Sequence, residues 1–499
     1  MDPTHDLEKA QEKLPDESSS EIVVVESGDD NKKLPVWKWL AKWGVEVRGI
    51  DPVPPEERTK TEYSSIFFMW MAILCNLLPI VTGMAGTLGY GLSLRDTSLV
   101  IIFFNLLCCV LTAFLGTLGP KTGMRQVIQA RYSFGPYCVS IVAILNLISV
   151  VGFTIIAIII CGQTLSAVSD GKMTITVGIV LAGLLGMVVS FCGYTVLHLF
   201  NKYSWAITIV SIVIAVGCGG HHLSKPVPTE PATASTILSF GCLIAGFMLP
   251  FAGIMSDFAV YYSPAAPTQR MFWYVYVSQN LPTILLMILG AAIGAVVPNV
   301  ESWNDGYNSY SAGGVLEAML RPAKGFGKFI AVLLAFSLVG NIAASMYTIS
   351  LNFQALATPL ARVPRSIYTV ITTAIMIPVG IKAAQSFFNS LENFLGIVSY
   401  WPGAFGAIVT LEHFYFRKGD ASTYDQAIWK DRRRLPPGIA AISAGILSFG
   451  LIVPCMNTAW FVGPIAKTTG DIGFEVGFVV AGLLYVPFRT LEIKICGYV

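Results

Sequence analysis

Two acidic residues lie inside apolar stretches of the chain, where an ionised carboxylate is unfavourable. Asp257 belongs to the apolar segment 238–262, and Glu392 lies near the start of the segment 388–412. A carboxylate in hydrocarbon must be paired or hydrated, so each acid is a candidate site for coupling to a proton. Each also has a structural interpretation: Asp257 as the partner of a loop arginine, and Glu392 as a residue that complements the positive end of a helix dipole.

A polar stripe runs through the apolar segment 327–357. Asn341, Ser345, Thr348 and Asn352 recur at three- and four-residue spacings, which places them on one face of a helix. In lipid such a face must point towards other helices. Hydrogen bonds between helices would explain the hydroxyl residues Ser345 and Thr348 without any role in binding. A carboxamide donates and accepts in one plane, which suits the edge of a planar heterocycle.

Aromatic side chains could complete a site for a flat ring. Phe153 and Phe247 are placed to supply faces above and below it, although phenylalanine in a membrane span is more often part of the core. The residues with chemistry therefore favour binding over catalysis.

Signatures of catalysis are absent from the sequence. The histidines His5, His198, His221, His222 and His413 lie in the tail, in loops or at a span end. No nucleotide-binding, metalloprotease or serine-hydrolase motif occurs. We expect a protein that is not an enzyme, with no metal and no cofactor.

Two long apolar segments that must position these residues cannot be smooth helices. Segment 70–92 is interrupted by Asn76 and Pro79, and segment 238–262 by Pro250. Proline lacks an amide hydrogen and clashes with the preceding turn, so backbone groups are left unpaired. In a membrane those groups must be buried in protein or line a cavity, and a pair of such breaks points to the binding site of a transporter.

The composition is that of a polytopic membrane protein. Of 499 residues, 54% are hydrophobic and only 12% charged, whereas soluble domains have about 25% charged residues. The net charge of +2 gives no support for binding nucleic acid. The cysteines lack metal-binding spacing and are expected to be small buried hydrophobic residues.

About twelve spans of roughly 20 residues can be placed along the chain. They are 66–91, 97–118, 136–168, 173–192, 203–219, 235–262, 271–297, 327–357, 366–383, 388–412, 438–458 and 473–490. An even count puts both termini on one side, and basic residues are more numerous in the loops on that side. The termini are therefore expected to be cytoplasmic.

The two interrupted segments are spans one and six, so equivalent positions are five spans apart. Because five is odd, the second half would enter the membrane upside down, which predicts a 5+5 inverted repeat with two additional C-terminal helices. The expected division is a largely disordered cytoplasmic tail over 1–64, a transport core over 65–412, a basic cytoplasmic loop over 413–437 and the two added helices with a short cytoplasmic end over 438–499.

The loop 119–135, GPKTGMRQVIQARYSFG, resembles the loop between spans two and three of the nucleobase-cation symporter family, in its fungal purine-cytosine permease branch. The residues of this loop motif are Gly119, Gly123, Arg125, Arg131 and Gly135. The resemblance continues in order through SDFAVYYSP, SLENFLGIVSYWPGAF, VGPIAKTTGDIGFE and YVPFRTLE, and covers nearly the whole chain after the tail. It implies an all-α LeuT-type fold, a location in the plasma membrane and proton-coupled uptake.

The expected substrate contacts combine the first break, the polar stripe and this resemblance. They are Asn76, Thr82, Phe153, Ala157, Phe247, Asn341 and Ser345.

Several of these positions depart from the family pattern. Phe153 and Phe247 align with tryptophans, and Ala157 with an asparagine. The family's Asn-Asn-Ile-Pro-Asn-Met-Tyr-Ser is NIAASMYT here, with Ile342 in place of the second asparagine and Ser345 in place of the third. Loss of polar contacts alters which ligand a site accepts, so we expect a substrate less polar than cytosine.

The sequence thus predicts a proton symporter that imports a purine-like, cytosine-like or related small heterocycle by alternating access. The alternatives are a carrier for a vitamin-like compound of the pyridoxine type or for a secondary metabolite, and a receptor that binds a nutrient without transporting it. The expected partners are the substrate, a co-transported proton and the lipid bilayer, with the oligomeric state left open.

Overall fold

The computed structural model describes residues 49–191, 193–224, 226–357 and 359–497, without the side chains of 193–202. Of the tail over 1–64, for which disorder is largely expected, residues 1–48 lie outside these residues. The described chain is mostly helical, and its main helices are, in order, α1 (Ser64–Leu74), α2 (Leu77–Leu88), α3 (Leu94–Thr122), α4 (Arg131–Val168), α5 (Ile175–Phe191), α6 (Gly193–Gly219), α7 (Ala234–Met248), α8 (Thr268–Val296), α9 (Glu301–Leu320), α10 (Lys324–Leu356), α11 (Arg365–Ala383), α12 (Phe387–Val398), α13 (Tyr400–Leu411), α14 (Ile439–Ile452) and α15 (Gly473–Cys496). Two short strands, β1 (Asn457–Thr458) and β2 (Phe461–Val462), form an antiparallel hairpin between α14 and α15.

The chain crosses the membrane several times. Within the described residues, eight helical segments are long and apolar enough to span a bilayer, or nine if α1 and α2 form one bent span. Two shorter apolar helices, α5 and the segment Ile439–Cys455, fall below that length. The expected number of twelve spans therefore stays a prediction.

Helix α9 was not expected, because its sequence is rich in Asn, Ser and Gly. It is bent at Tyr310 and Ser311. A Cβ atom on Gly313 would lie 2.4 Å from the backbone nitrogen of Thr164 in α4, so the two helices approach closely. The helix is stabilised by this packing and by buried residues such as Trp303, which hydropathy along the chain does not reveal.

The first break separates α1 from α2, which meet at an angle of 53°. Asn76 has an extended backbone (φ −152°, ψ −172°) and acts as the N-cap of α2. Its Oδ1 accepts from the Leu78 amide at 2.7 Å, and its Nδ2 donates to the Ile73 carbonyl at 2.7 Å. One carboxamide thus satisfies the open ends of both helices.

The second break follows α7, where the chain continues as two 3₁₀ turns, Leu249–Gly253 and Met255–Phe258. The expected interruption at Pro250 is confirmed, because Pro250 lies in the first of these turns. Gly246 is required by a close crossing: a Cβ atom there would lie 1.7 Å from the carbonyl oxygen of Leu395 in α12.

Helices α2 and α8 pack without side chains between them at two points. A Cβ atom on Gly83 would lie 1.9 Å from the Met287 carbonyl oxygen, and one on Gly290 would lie 1.8 Å from the Ile80 carbonyl oxygen. Each helix therefore uses a glycine to approach the backbone of the other, as small residues do in membrane helix pairs.

Segment 49–63 lies against the loops on the side of the protein that contains the motif 119–135. The Val53 amide donates to the Gly123 carbonyl at 2.8 Å, and the Lys60 amide donates to the Tyr261 carbonyl at 3.2 Å. The chain before α1 is thus hydrogen-bonded both to the loop after α3 and to the end of the second break.

A buried ion-pair network attaches the C-terminal helices to the rest of the protein. Glu412, which begins a π-helical turn after α13, is fully buried. Its carboxylate accepts from Arg417 at 3.0 Å, from Arg489 in α15 at 3.0 Å and from the Tyr485 hydroxyl at 2.7 Å. Arg489 also donates to Glu492 at 2.9 Å. No pattern in the sequence indicated this network.

Candidate functional site

A cavity lies where the two helix breaks face α4 and α10. Its volume is about 40 Å³, well below the roughly 300–1,000 Å³ of small-molecule sites, so a ring-sized ligand fits only after the surrounding helices separate. Its lining residues come from α1, α2, α4, α7, the turns after α7 and α10. They are Trp70, Ile73, Leu74, Asn76, Leu78, Val150, Phe153, Phe247, Pro250, Phe251, Ile254, Phe258, Asn341, Ala344, Ser345 and Thr348.

Aromatic rings form one part of the wall. Phe153 and Phe247 meet edge to face, with centroids 6.0 Å apart and an interplanar angle of 88°. Phe153 and Phe251 are nearly parallel, at 19° and 6.3 Å. A planar ligand between two parallel rings needs a separation of about 7 Å, or two carbon contacts. In this conformation a flat ring is therefore not stacked between Phe153 and Phe247, and Phe251, which sequence analysis missed, is the ring parallel to Phe153.

Asn341 and Ser345 line the cavity from α10. The Asn341 Nδ2 donates to the Ile73 carbonyl at 3.1 Å, and its Oδ1 has no hydrogen-bond partner among the described residues. Asn76 also lines the cavity, but its Nδ2 and its Oδ1 are both hydrogen-bonded to backbone groups at the first break. Its side chain therefore shapes the site and has little capacity left to bind a ligand.

Thr82 and Ala157 are fully buried but do not line this cavity. The Thr82 hydroxyl donates to the Leu78 carbonyl of its own helix at 2.9 Å. Their contact with substrate stays a prediction, and in this conformation they act as packing behind the wall.

Trp70 and Thr348 line the same cavity and were not among the predicted contacts. The indole Nε1 of Trp70 and the hydroxyl of Thr348 are buried and lack a hydrogen-bond partner among the described residues. Thr348 belongs to the predicted polar stripe, so its spacing already indicated this position. Trp70 had no such signal beyond its place at the start of segment 70–92.

Asp257 lies in the second 3₁₀ turn of the second break, Met255–Phe258, against the loop motif. Its side chain is buried, and its Oδ1 accepts from the Gln126 amide at 2.8 Å. Arg125 donates to the Asp257 carbonyl at 3.3 Å. A Cβ atom on Gly119 would lie 2.8 Å from that of Ala259, so this glycine permits the end of α3 to approach the broken span. The structure thus brings the candidate coupling acid, Asp257, together with the loop motif 119–135.

The remaining motif residues shape the same surface. Gly123 and Gly135 have positive φ angles of 64° and 70°, a region that glycine adopts without a steric penalty. A side chain on Gly135 would meet the Pro436 carbonyl at 2.4 Å. Arg131 donates to the Trp429 carbonyl at 3.2 Å and lies over its ring. The basic loop 413–437 therefore contacts the motif directly.

Glu392 lies elsewhere, at the far end of α2 from the first break. A Cβ atom on Gly89 would lie 1.9 Å from the Glu392 Oε1, so this carboxylate rests against the C-terminal end of α2. With twelve residues, α2 is about 18 Å long. Neither Glu392 nor Asp257 lines the cavity, and they flank it from different ends. No cluster of three or more potential metal ligands occurs in the described part of the chain.

Two broken helices around one buried cavity in a multi-pass helical protein define a secondary transporter. A sequence model for a permease family described as acting on cytosine/purines, uracil, thiamine and allantoin matches residues 52–477. The chain belongs to this family. The prediction that it is not an enzyme is confirmed by this membership, because its relatives are named as permeases.

Individual relatives cover nearly the whole chain. The purine-cytosine permease fcyB of Emericella nidulans is 32% identical over 94% of this chain and 93% of its own. The vitamin B6 transporter TPN1 of Saccharomyces cerevisiae is 25% identical over 92% of this chain and 90% of its own. The structure of Mhp1, a nucleobase-cation-symport-1 family transporter in a closed conformation with bromovinylhydantoin bound, superposes with a TM-score of 0.68 at 15% identity, over 90% of this chain and 96% of Mhp1. The chain therefore shares the Mhp1 fold.

Proposed function

We propose that this protein is a proton-coupled symporter that imports a nucleobase-like or related small heterocycle. The observation that carries the proposal is the cavity itself, because both helix breaks contribute to one wall and α10 contributes the carboxamide of Asn341. Paired breaks at a common cavity are the arrangement in which transporters bind substrate. The relationship to fcyB, a purine-cytosine permease, supports the substrate class.

The substrate is an uncharged, flat molecule that is less polar than cytosine. No lysine, arginine, aspartate or glutamate lines the cavity within the described residues. A charged ligand would therefore be buried without a counterion, which is strongly unfavourable. Aromatic side chains make up much of the wall, and ring stacking suits a planar heterocycle.

Transport proceeds by alternating access, with the unit of α1, α2, α3, α7 and α8 rocking against the remaining core helices. The close packing of α2 on α8 supports their movement as one body. The arrangement would be that of a 5+5 inverted repeat of the LeuT type, with α14 and α15 as the added helices, twelve spans in all, cytoplasmic termini and a location in the plasma membrane.

Asp257 is the first candidate for the coupling proton. It is buried at the end of the second break, and it faces the loop motif through Gln126 and Arg125. A change in its protonation would alter the contact between the broken span and this loop. Glu392, at the opposite end of α2, is the second candidate.

A carrier for a vitamin-like heterocycle is the second candidate function. The relationship to TPN1, a vitamin B6 transporter, favours it. Adenine, cytosine and pyridoxine compete differently for uptake under the two hypotheses, so a competition panel distinguishes them.

The experiment is uptake of labelled heterocycles by cells that lack their own carriers. Accumulation that rises as external pH falls, and that a protonophore abolishes, supports the symporter. Saturable binding without accumulation would instead support a receptor, and uptake that is indifferent to the protonophore would contradict proton coupling.

A further inference from the structure

We propose that Trp70 and Thr348, together with the Asn341 Oδ1, form the polar contacts that read the edge of the ligand. They would select an uncharged heterocycle that carries a hydrogen-bond acceptor and an N–H or O–H donor on one edge. This inference rests on the proposed function, since it concerns the same cavity, and it adds two residues and a required hydrogen-bond pattern.

The orientation of the Asn341 carboxamide is set by the backbone. Its Nδ2 donates to the Ile73 carbonyl, and the opposite orientation would place Oδ1 against that carbonyl oxygen. Oδ1 is therefore the group left for a ligand, and it has no partner among the described residues. Because a buried acceptor without a partner is unfavourable, this position calls for a donor on the ligand.

Within the described residues, the hydroxyls of Thr97, Thr283, Thr348, Thr372 and Thr410 are buried without a hydrogen-bond partner, and of these threonines only Thr348 lines the cavity. Thr82 and Thr154 donate to carbonyls one turn earlier in their helices, at 2.9 and 2.7 Å. Thr348 makes no such bond, although it is 1% exposed and lies in the middle of α10. A hydroxyl can donate or accept, so Thr348 is free to complement either kind of ligand atom.

Trp70 supplies a donor only. Its side chain is fully buried, and its ring meets Phe251 and Phe258 edge to face, each with centroids 5.5 Å apart. These contacts hold the indole in place, so its N–H cannot turn towards another partner without repacking. An acceptor atom on the ligand is the partner that the indole requires.

The three groups together specify a pattern. The ligand presents an acceptor to Trp70 and a donor to Asn341, as a lactam or an amino-substituted ring nitrogen does. A ring whose donors are methylated leaves the Asn341 Oδ1 unpaired, and a ring that lacks the acceptor, whether an unprotonated ring nitrogen or a lactam carbonyl, leaves the Trp70 N–H unpaired. Both changes should weaken binding by about tenfold, which corresponds to one net hydrogen bond.

Equilibrium binding to the purified full-length protein tests the inference without requiring transport. The probes are adenine, cytosine and pyridoxine, each beside a form with methylated donors and a form in which an unprotonated ring nitrogen is replaced by C–H. The variants are Trp70→Phe and Thr348→Val, with Thr348→Ser as the conservative form and Thr154→Val as the matched control, because the Thr154 hydroxyl is already bonded within its helix.

We expect Trp70→Phe to weaken binding of the parent ring about tenfold and to leave the affinity of its C–H form unchanged. Thr348→Val should weaken binding of the parent by a similar factor, whereas Thr348→Ser and Thr154→Val should not. Equal weakening of parent and altered rings would indicate a packing effect and overturn the inference. If none of the probes binds, both this inference and the proposed function are overturned. Selective binding without uptake would overturn symport alone.

Discussion

Glu412 and Arg489 form a two-point ion pair in which the arginine Nε and Nη2 each donate to a different carboxylate oxygen at 3.0 Å. They are 77 positions apart, and both side chains are at most 1% exposed. Through Arg417, the same carboxylate is also joined to the basic loop, whose Thr423 carbonyl accepts from that arginine. The C-terminal helix α15 is therefore connected to the end of α13 at a point that lipid and water do not reach.

We expect Glu412→Gln to destabilise the protein by about 3–5 kcal/mol, because two buried arginines lose their shared counterion. The measurement is thermal unfolding of the purified protein in detergent. Lys328→Ala is the control, since the pair of Lys328 with Asp170 is exposed at 43% and 65%. The hydrogen bond and charge of Lys328 lower the pKa of Asp170, yet loss of an exposed pair has little effect on stability. Equal effects of the two substitutions would contradict the assigned role of Glu412.

Gly290→Ala should abolish uptake or prevent folding, because its new methyl group would collide with the Ile80 backbone. Gly445→Ala in α14 is the matched control, as no described atom beyond its chain neighbours and its own helix backbone lies within 4 Å of the position that a Cβ would occupy. Surface expression and uptake are measured for both. Normal transport by Gly290→Ala would show that α2 and α8 do not need this close approach.

Asp257→Asn should retain folding but lose the dependence of uptake on the proton gradient. The amide oxygen can still accept from the Gln126 backbone, so the local geometry is preserved. Uptake is measured across external pH with and without a protonophore, and Glu392→Gln is measured in parallel. If only Glu392→Gln uncouples transport, then Glu392 carries the proton, and Asp257 has the structural role.

Phe251→Leu should weaken binding of planar ligands about tenfold, since a stacked aromatic contact contributes about 0.5–1.5 kcal/mol beyond its area. Phe272→Leu in α8 is the control, because Phe272 stacks on Tyr276 outside the cavity. Binding of a saturated, non-planar analogue should be unaffected by either change. A loss of equal size for planar and non-planar ligands would argue that Phe251 only fills space.

The helix breaks could be predicted from sequence because proline, glycine and a capping asparagine act on their own turn. Asn76 and Pro250 lie where this local chemistry placed them. The contacts of Trp70 and Phe251 could not be predicted, because they depend on how two distant helices cross. The ion pair of Glu412 with Arg489 could not be predicted for the same reason, since hydropathy identifies the membrane spans but not which spans contact one another. Helix α9 was missed because its stability comes from close approach to α4.

The Ile73 carbonyl, released by the first break, accepts from both Asn76 and Asn341. Evolution of a new substrate preference is therefore constrained at Asn341, since replacing it would also remove the hydrogen bond between α10 and the end of α1. Ser345 and Thr348 are on the same helix face and take no part in this joint, so they can diverge at lower risk to the fold. Among related permeases, substrate selectivity should change first at positions such as Ser345 and Thr348, whose side chains do not join one helix to another.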